Sequence, residues 1–199
     1  MKTLLHVKSS IFGDDGQSVQ LADRLIKRWL QQNPEGQVVV RDLAAEPIAH
    51  FDMQTIAALS AEAEQRSPEQ QAIVALSDQL ITELQEADVL VLAAPMYNFA
   101  VPSQLKAWFD QIAKNGVTFR YTEQGPVGLL QDRPVYVLAT RGGQYREAGL
   151  DFQVPWIKLI LGFVGLKQVE VVYAEGLNMA GADVAIEQAR VELDALTLS

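Results

Sequence analysis

The run Val89-Leu90-Val91-Leu92-Ala93-Ala94 is apolar at every position. A strand with one face in water alternates apolar and polar residues, so a strand without alternation is covered on both faces. Helices cover both faces of a sheet when each strand is followed by a crossover, and such sheets are parallel. The rest of the chain supplies the parts. Strands are expected at Thr3 to Lys8, Gln37 to Asp42, Val89 to Ala94, Pro134 to Thr140 and Gln168 to Tyr173.

Helical periodicity fills the intervals. Ser18 to Gln32 places Leu21, Leu25, Ile26, Trp29 and Leu30 along one face, and Asn33-Pro34-Glu35-Gly36 stops it. Pro68 opens another helix, with Ile73, Leu76, Leu80, Ile81 and Leu84 on its buried side; the first helical position tolerates proline because no amide proton is needed there. Further helices are expected at Ser103 to Ile112, Trp156 to Phe163 and Ala182 to Leu196. Leu43 to Ser67 is longer than a crossover needs; it is expected to carry some helix around Met53 to Ala63 and to serve as a lid or a partner contact.

This alternation predicts an α/β fold: one domain over residues 1–199, with a doubly wound five-stranded parallel sheet of order 2-1-3-4-5. Ligands of such sheets bind beyond the carboxyl ends of the strands, at the switch point between the first and third. Three loops should therefore meet: Ser9 to Ser18, Pro95 to Phe99 and Thr140 to Gly143.

Composition removes several classes of ligand. With 25 acidic against 16 basic residues the formal charge is −9, and no basic stripe offers phosphate-backbone contacts, so no nucleic acid is expected. Cysteine is absent, which excludes disulfides, thiolate catalysis and zinc–sulfur sites. His6 and His50 are the only histidines, so no metal site is expected, and His6, in an apolar strand, reads as a hydrogen-bonded core residue. The N-terminus lacks a signal-peptide pattern, and the apolar stretch Trp156 to Leu166 is too short to span a bilayer and contains Lys158. A cytoplasmic protein is the expectation.

The first loop, Ser9-Ser10-Ile11-Phe12-Gly13-Asp14-Asp15-Gly16-Gln17-Ser18, runs into a helix start, where unpaired amides and the positive end of the dipole suit an anion. Ser10 and Ser18 add hydroxyls and Gly16 permits close backbone approach; alternatively Ser18 only caps the helix. The loop has neither the Gly-Lys-Ser/Thr ending of a nucleoside-triphosphate cradle nor a Gly-x-Gly-x-x-Gly, so one terminal phosphate fits better than a pyrophosphate. Asp14 and Asp15 oppose an anion unless they point into solvent. Pro95-Met96-Tyr97-Asn98-Phe99 forms a rigid aromatic shelf for a flat ring, or a plain turn. Thr140-Arg141-Gly142-Gly143 turns backbone amides to a ligand edge, with Arg141 either holding charge on a reduced ring or simply solvated.

The chain closely resembles the FMN-dependent azoreductases and NAD(P)H:quinone oxidoreductases of flavodoxin-like fold, over nearly its whole length. The resemblance is carried by Lys8-Ser9-Ser10, Arg41-Asp42-Leu43, Ala94-Pro95-Met96-Tyr97-Asn98-Phe99, Gly116-Val117-Thr118-Phe119-Arg120-Tyr121-Thr122-Glu123, Arg141-Gly142-Gly143 and Gly162-Phe163-Val164-Gly165. It implies a homodimer with one FMN per subunit and active sites at the dimer interface. By position, Ser10, Gly16, Gln17 and Ser18 hold the phosphate. Met96, Tyr97, Asn98 and Phe99 form the ring shelf, and Thr140, Arg141, Gly142 and Gly143 line the pyrimidine edge. Tyr121 and Phe163 line the substrate side, unless Phe163 only packs and Tyr121 faces solvent. Gly16 stands where relatives often carry serine, which removes one hydroxyl contact. Thr140 replaces a frequent serine and keeps the hydroxyl.

The implied activity is a ping-pong reduction by NADH or NADPH of quinones to hydroquinones and of aromatic azo bonds to amines, with no protein residue as the catalytic group. The rival expectation is an electron carrier or flavin-binding adaptor on the same fold, without enzymatic activity.

Overall fold

The computed structural model describes residues 1–198. In chain order its elements are β1 (Thr3–Lys8), α1 (Gln17–Gln32), β2 (Gln37–Asp42), α2 (Met53–Ser60), α3 (Pro68–Glu86), β3 (Val89–Pro95), α4 (Ser103–Ile112), β4 (Phe119–Thr122), β5 (Gly125–Gly128), β6 (Val135–Thr140), α5 (Gln153–Val164), β7 (Val169–Ala174) and α6 (Ala182–Ala195). Five strands form one parallel sheet in the order β2-β1-β3-β6-β7. The expected numbering 2-1-3-4-5 is thus corrected to 2-1-3-6-7, because the antiparallel hairpin β4–β5 stands between α4 and β6. Gly125-Pro126-Val127-Gly128 reads as a loop from its glycines and proline, and becomes a strand only by pairing with Phe119–Thr122. The switch point between β1 and β3 is where it was expected.

β3 is buried along its whole length. Its alternate residues divide between two cores: Val89, Val91 and Ala93 pack with Leu25, Trp29 and Leu193 of α1 and α6, while Leu90, Leu92 and Ala94 pack with Leu80, Trp108 and Ile157 of α3, α4 and α5. The period of two along the strand thus serves both faces. α1 buries Leu21, Leu25, Ile26 and Trp29 as its periodicity requires, and Leu30 is half-buried at the margin.

α3 starts with Pro68 inside a capping box of Ser67 and Gln70. Its innermost line is Val74, Ser77, Leu80, Ile81 and Leu84, with Ile73 and Leu76 only half-buried. The small Ser77 lets α4 come close, and its hydroxyl donates to the Gln111 carbonyl at 2.8 Å. The segment after β2 carries α2, which ends at Ser60, short of the expected Ala63, and is capped by Asp52 accepting from the Thr55 amide at 2.8 Å. Arg41 fastens this region to α3, paired with Glu83 and, at 2.6 Å, with Glu46.

α5 starts at Gln153, one turn before the expected Trp156. Asp151 accepts the amides of Gln153 and Val154, each at 3.2 Å, and Pro155 occupies the first turn. No helix among the described residues is long and apolar enough to cross a membrane.

Candidate functional site

The three loops meet at the carboxyl end of the sheet. The Ser9 hydroxyl donates to the Ala93 carbonyl at 2.7 Å, the Ile11 amide donates to the Tyr97 hydroxyl at 3.2 Å, and the Met96 amide donates to the Thr140 carbonyl at 2.8 Å. Phe99 and Tyr145 touch edge to face, with ring centroids 5.3 Å apart. Beside these contacts opens a cavity of about 680 Å³, lined by Ile11, Tyr97, Asn98, Phe99, Gln153 and Trp156 among others. That is the size of pocket that encloses a small organic ligand.

At the first loop, the N-cap of α1 is Gly16, which offers no side chain, and Ser18 sits inside the first turn. The capping alternative for Ser18 is therefore removed. Its hydroxyl is fully buried and has no partner among the described residues. The Gly16 carbonyl takes the amides of Val19 and Gln20, at 2.9 and 3.0 Å, and the Gln17 and Ser18 amides have no acceptor among the described residues. A buried hydroxyl and two open amides at a positive helix end suit one anionic group. The acidic pair does not oppose it strongly. Asp14 lies 2.5 Å from the Lys8 ammonium, which also meets Asp42 at 2.9 Å, and Asp15 is exposed. Burial alone would lower the Lys8 pKa, but its bonds to Asp14 and Asp42 outweigh burial and raise it.

Ser10 is buried, and its hydroxyl accepts the Phe12 amide at 3.2 Å, closing the loop. Gly16 is glycine for a reason other than ligand approach. A Cβ there would stand 2.7 Å from the Cβ of Ser10, a contact that requires one of the two to shift. Gly16→Ser is thus expected to lower stability by about 1–3 kcal/mol, the usual cost of overpacking, and to gain no anion affinity. Thermal unfolding with and without FMN checks this; tighter FMN binding at unchanged stability would contradict it.

The shelf is a two-residue turn closed by reciprocal backbone bonds of 3.1 Å between Tyr97 and Ala100. Asn98 and Phe99 have φ of 51° and 66°. Asparagine tolerates the left-handed region, but phenylalanine is strained there by about 1 kcal/mol or more. That strain holds an aromatic ring, half exposed, over the cavity. Met96 is buried beneath it.

At the third loop, Thr140 and Arg141 are buried. The Arg141 side chain is wholly enclosed: its Nη1 lies 3.0 Å from Asp151 and 3.6 Å from Glu175, its Nη2 donates to Gln153 Oε1 at 3.1 Å, and its guanidinium lies over the Tyr173 ring at 5.1 Å. The contact to Asp151 is electrostatic rather than an aligned hydrogen bond. Free solvation of Arg141 is thereby corrected. The side chain anchors the loop from below. The Gly142 and Gly143 carbonyls accept from Asn178 and Gly176 at 3.0 and 2.9 Å, while their amides have no acceptor among the described residues.

Tyr121 and Phe163 stand elsewhere. Phe163 packs on Phe119, ring centroids 4.3 Å apart, and Tyr121 meets the same ring edge-on at 5.6 Å while remaining 70 % exposed. Within one chain this cluster is not part of the cavity wall. Several residues at the cavity or its rim escape the sequence reading, among them Ile11, Gln153 and Tyr145. For Gln153 a signal existed, since Asp151 and Pro155 bracket it as a helix start. Tyr145 lies across Gly143, its Cζ 2.7 Å from where a Cβ on that glycine would stand, a contact without local sequence signature.

Comparison with known proteins agrees with this architecture. A family described as having a flavodoxin-like fold matches residues 2–196. The chain is 54% identical to a protein of Cellvibrio japonicus named FMN-dependent NADH:quinone oxidoreductase, over 98% of both chains. It is 50% identical to a protein of that name from Alcanivorax borkumensis, over 98% of this chain and 99% of the other. Among solved structures, an azoreductase from Bacillus anthracis superposes with a TM-score of 0.88 at 28% identity, over 97% of each chain. By its matched length, its sheet order and its relatives, the chain belongs to the family of flavodoxin-like fold.

Proposed function

We propose that this chain is an FMN-dependent oxidoreductase that takes electrons from NADH or NADPH and passes them in pairs to a second substrate. Quinones become hydroquinones in one round, and aromatic azo compounds become two amines in two rounds. The observation that carries the reading is the buried, unpartnered Ser18 hydroxyl beside the open Gln17 and Ser18 amides, on a loop whose Ile11 amide donates to Tyr97 of the aromatic shelf. The names of the relatives support the same cofactor and the same two substrate classes.

The residues fit a flavin mononucleotide. Its phosphate would be held by the Gln17 and Ser18 amides and the hydroxyls of Ser10 and Ser18, with Gly16 keeping the loop tight. Its ring would lie on Met96, Tyr97, Asn98 and Phe99, with the Gly142 and Gly143 amides at the pyrimidine edge beside Thr140. Bound there, FMN would supply the group that accepts an electron pair from a nicotinamide and yields it to the acceptor. The protein orients that ring and covers one face of it. Arg141 acts by holding its loop, not by contact with the ring.

The reading extends to one domain over residues 1–199, cytoplasmic, working as a homodimer. Support for the dimer comes from large apolar side chains that stay exposed near the hairpin and α5, among them Tyr121, Val127, Phe152 and Leu159. A subunit interface is what would cover such side chains. Across a dimer axis, Tyr121 and Phe163 would wall the substrate side of the partner's ring. A peak of single-chain mass in light scattering would remove this part.

The enzymatic reading is tested by mixing NADH anaerobically with FMN-loaded protein. Rapid bleaching of the yellow band, reversed by benzoquinone, is the expected result. A bound flavin that stays yellow with both NADH and NADPH would leave an electron carrier as the better description.

A further inference from the structure

Gln153 is 1 % exposed, yet both ends of its amide are engaged. Its Nε2 donates to the Pro95 carbonyl at 2.8 Å and, more weakly, to the Ala94 carbonyl at 3.3 Å; its Oε1 accepts from Arg141 Nη2 at 3.1 Å. The other side of the Pro95–Met96 peptide is held as well, since the Met96 amide donates to the Thr140 carbonyl at 2.8 Å. The peptide from which the shelf projects is thus clamped through its oxygen and through its nitrogen. A planar peptide with both polar atoms fixed cannot rotate, so the direction of the following turn is set.

Arg141 and Gln153 make this clamp part of a ring of contacts. Asp151 meets Arg141 at 3.0 Å and accepts the Gln153 amide at 3.2 Å, and Glu175 meets Arg141 at 3.6 Å while accepting the Tyr145 and Arg146 amides at 2.9 and 3.0 Å. The shelf, the Thr140–Gly143 loop and the start of α5 are therefore one hydrogen-bonded unit. A buried amide is costly unless paired, and here its pairing joins the two loops between which a flat ring must fit.

We propose that Gln153 is a positioning residue of the cofactor site: through the Pro95 carbonyl and Arg141 it fixes the distance and tilt between the ring shelf and the loop at the ring's pyrimidine edge. The inference rests on the FMN reading above. It does not make Gln153 a contact of the ring. It assigns Gln153 the spacing that lets Phe99 and the Gly142 and Gly143 amides engage one ring together.

The test compares wild type with Gln153→Met and Gln153→Glu. Methionine keeps the length of the side chain and fills an apolar space readily, while losing both hydrogen bonds. Glutamate keeps an acceptor for Arg141 but turns a carboxylate to the Pro95 carbonyl. FMN dissociation constants are read from flavin fluorescence, beside the thermal midpoints of the FMN-free proteins and the shape of the bound flavin's visible band. Both variants are expected to weaken FMN binding about tenfold, the effect of one lost hydrogen bond of ordinary strength, and to shift the band. Folded variants that bind FMN within twofold of wild type, with an unchanged band, would overturn the inference and leave Gln153 a stabiliser of α5. Failure of wild type itself to bind FMN would overturn the cofactor reading, and the inference with it.

Discussion

Arg141→Met is expected to lower the stability of the protein by about 3 kcal/mol, with the cofactor absent, because it removes the cation from an enclosed cluster and leaves its carboxylates behind. The guanidinium is entirely buried, and Asp151 and Glu175 are 9% and 17% exposed at their side chains. Both carboxylates also hold backbone amides, Asp151 at the start of α5 and Glu175 at residues 145 and 146, so they cannot simply swing into water. Adding Asp151→Asn to Arg141→Met should recover part of the loss, since one unpaired charge is then gone. Urea titration of the three proteins checks both statements. An Arg141→Met protein as stable as wild type, deficient only in electron transfer, would return the guanidinium to the ring.

The second large effect concerns acid. His6 lies in β1 and is 2 % exposed, and its Nε2 has no partner among the described residues. Burial first, then the Lys8 ammonium, lower its pKa to about 4, against smaller opposing pulls from Asp42 and Asp14. The unfolded chain takes up a proton near the ordinary histidine value of 6.5, whereas the folded chain resists protonation until about 4. Stability is therefore fully present above pH 6.5 and is lost as pH falls toward 4, by about 3 kcal/mol in all. His6→Leu should abolish most of that slope, leaving the carboxylates to act at still lower pH. Urea midpoints taken at half-unit steps provide the measurement. An equally steep fall in the variant would assign the acid sensitivity to other groups.

Much of the fold was legible because its signals are local. The apolar run at Val89 demanded a doubly covered strand, and the strands at Thr3–Lys8 and Gln37–Asp42 and the helix at Ser103–Ile112 have the bounds that periodicity and punctuation predict. The convergence of three loops followed from the parallel order. The hairpin was not legible, since a segment of two glycines, proline and valine has no strand tendency of its own.

The sequence by itself determined the layered sheet and the place of the crevice, because alternation of period 2 and 3.6 and the turn residues act over a few neighbours. Only the tertiary structure decided what the polar residues do there. Ser18 sits inside the first turn rather than at the cap because Gly16 holds the cap position, and its buried hydroxyl has no partner among the described residues. Arg141 points into the protein because Asp151 and Glu175, 10 and 34 positions away in sequence, are brought beneath it. Gln153 clamps Pro95 across 58 residues. A buried charge or amide takes whichever partner the fold delivers, and that partner is set by chain topology, which no local pattern records.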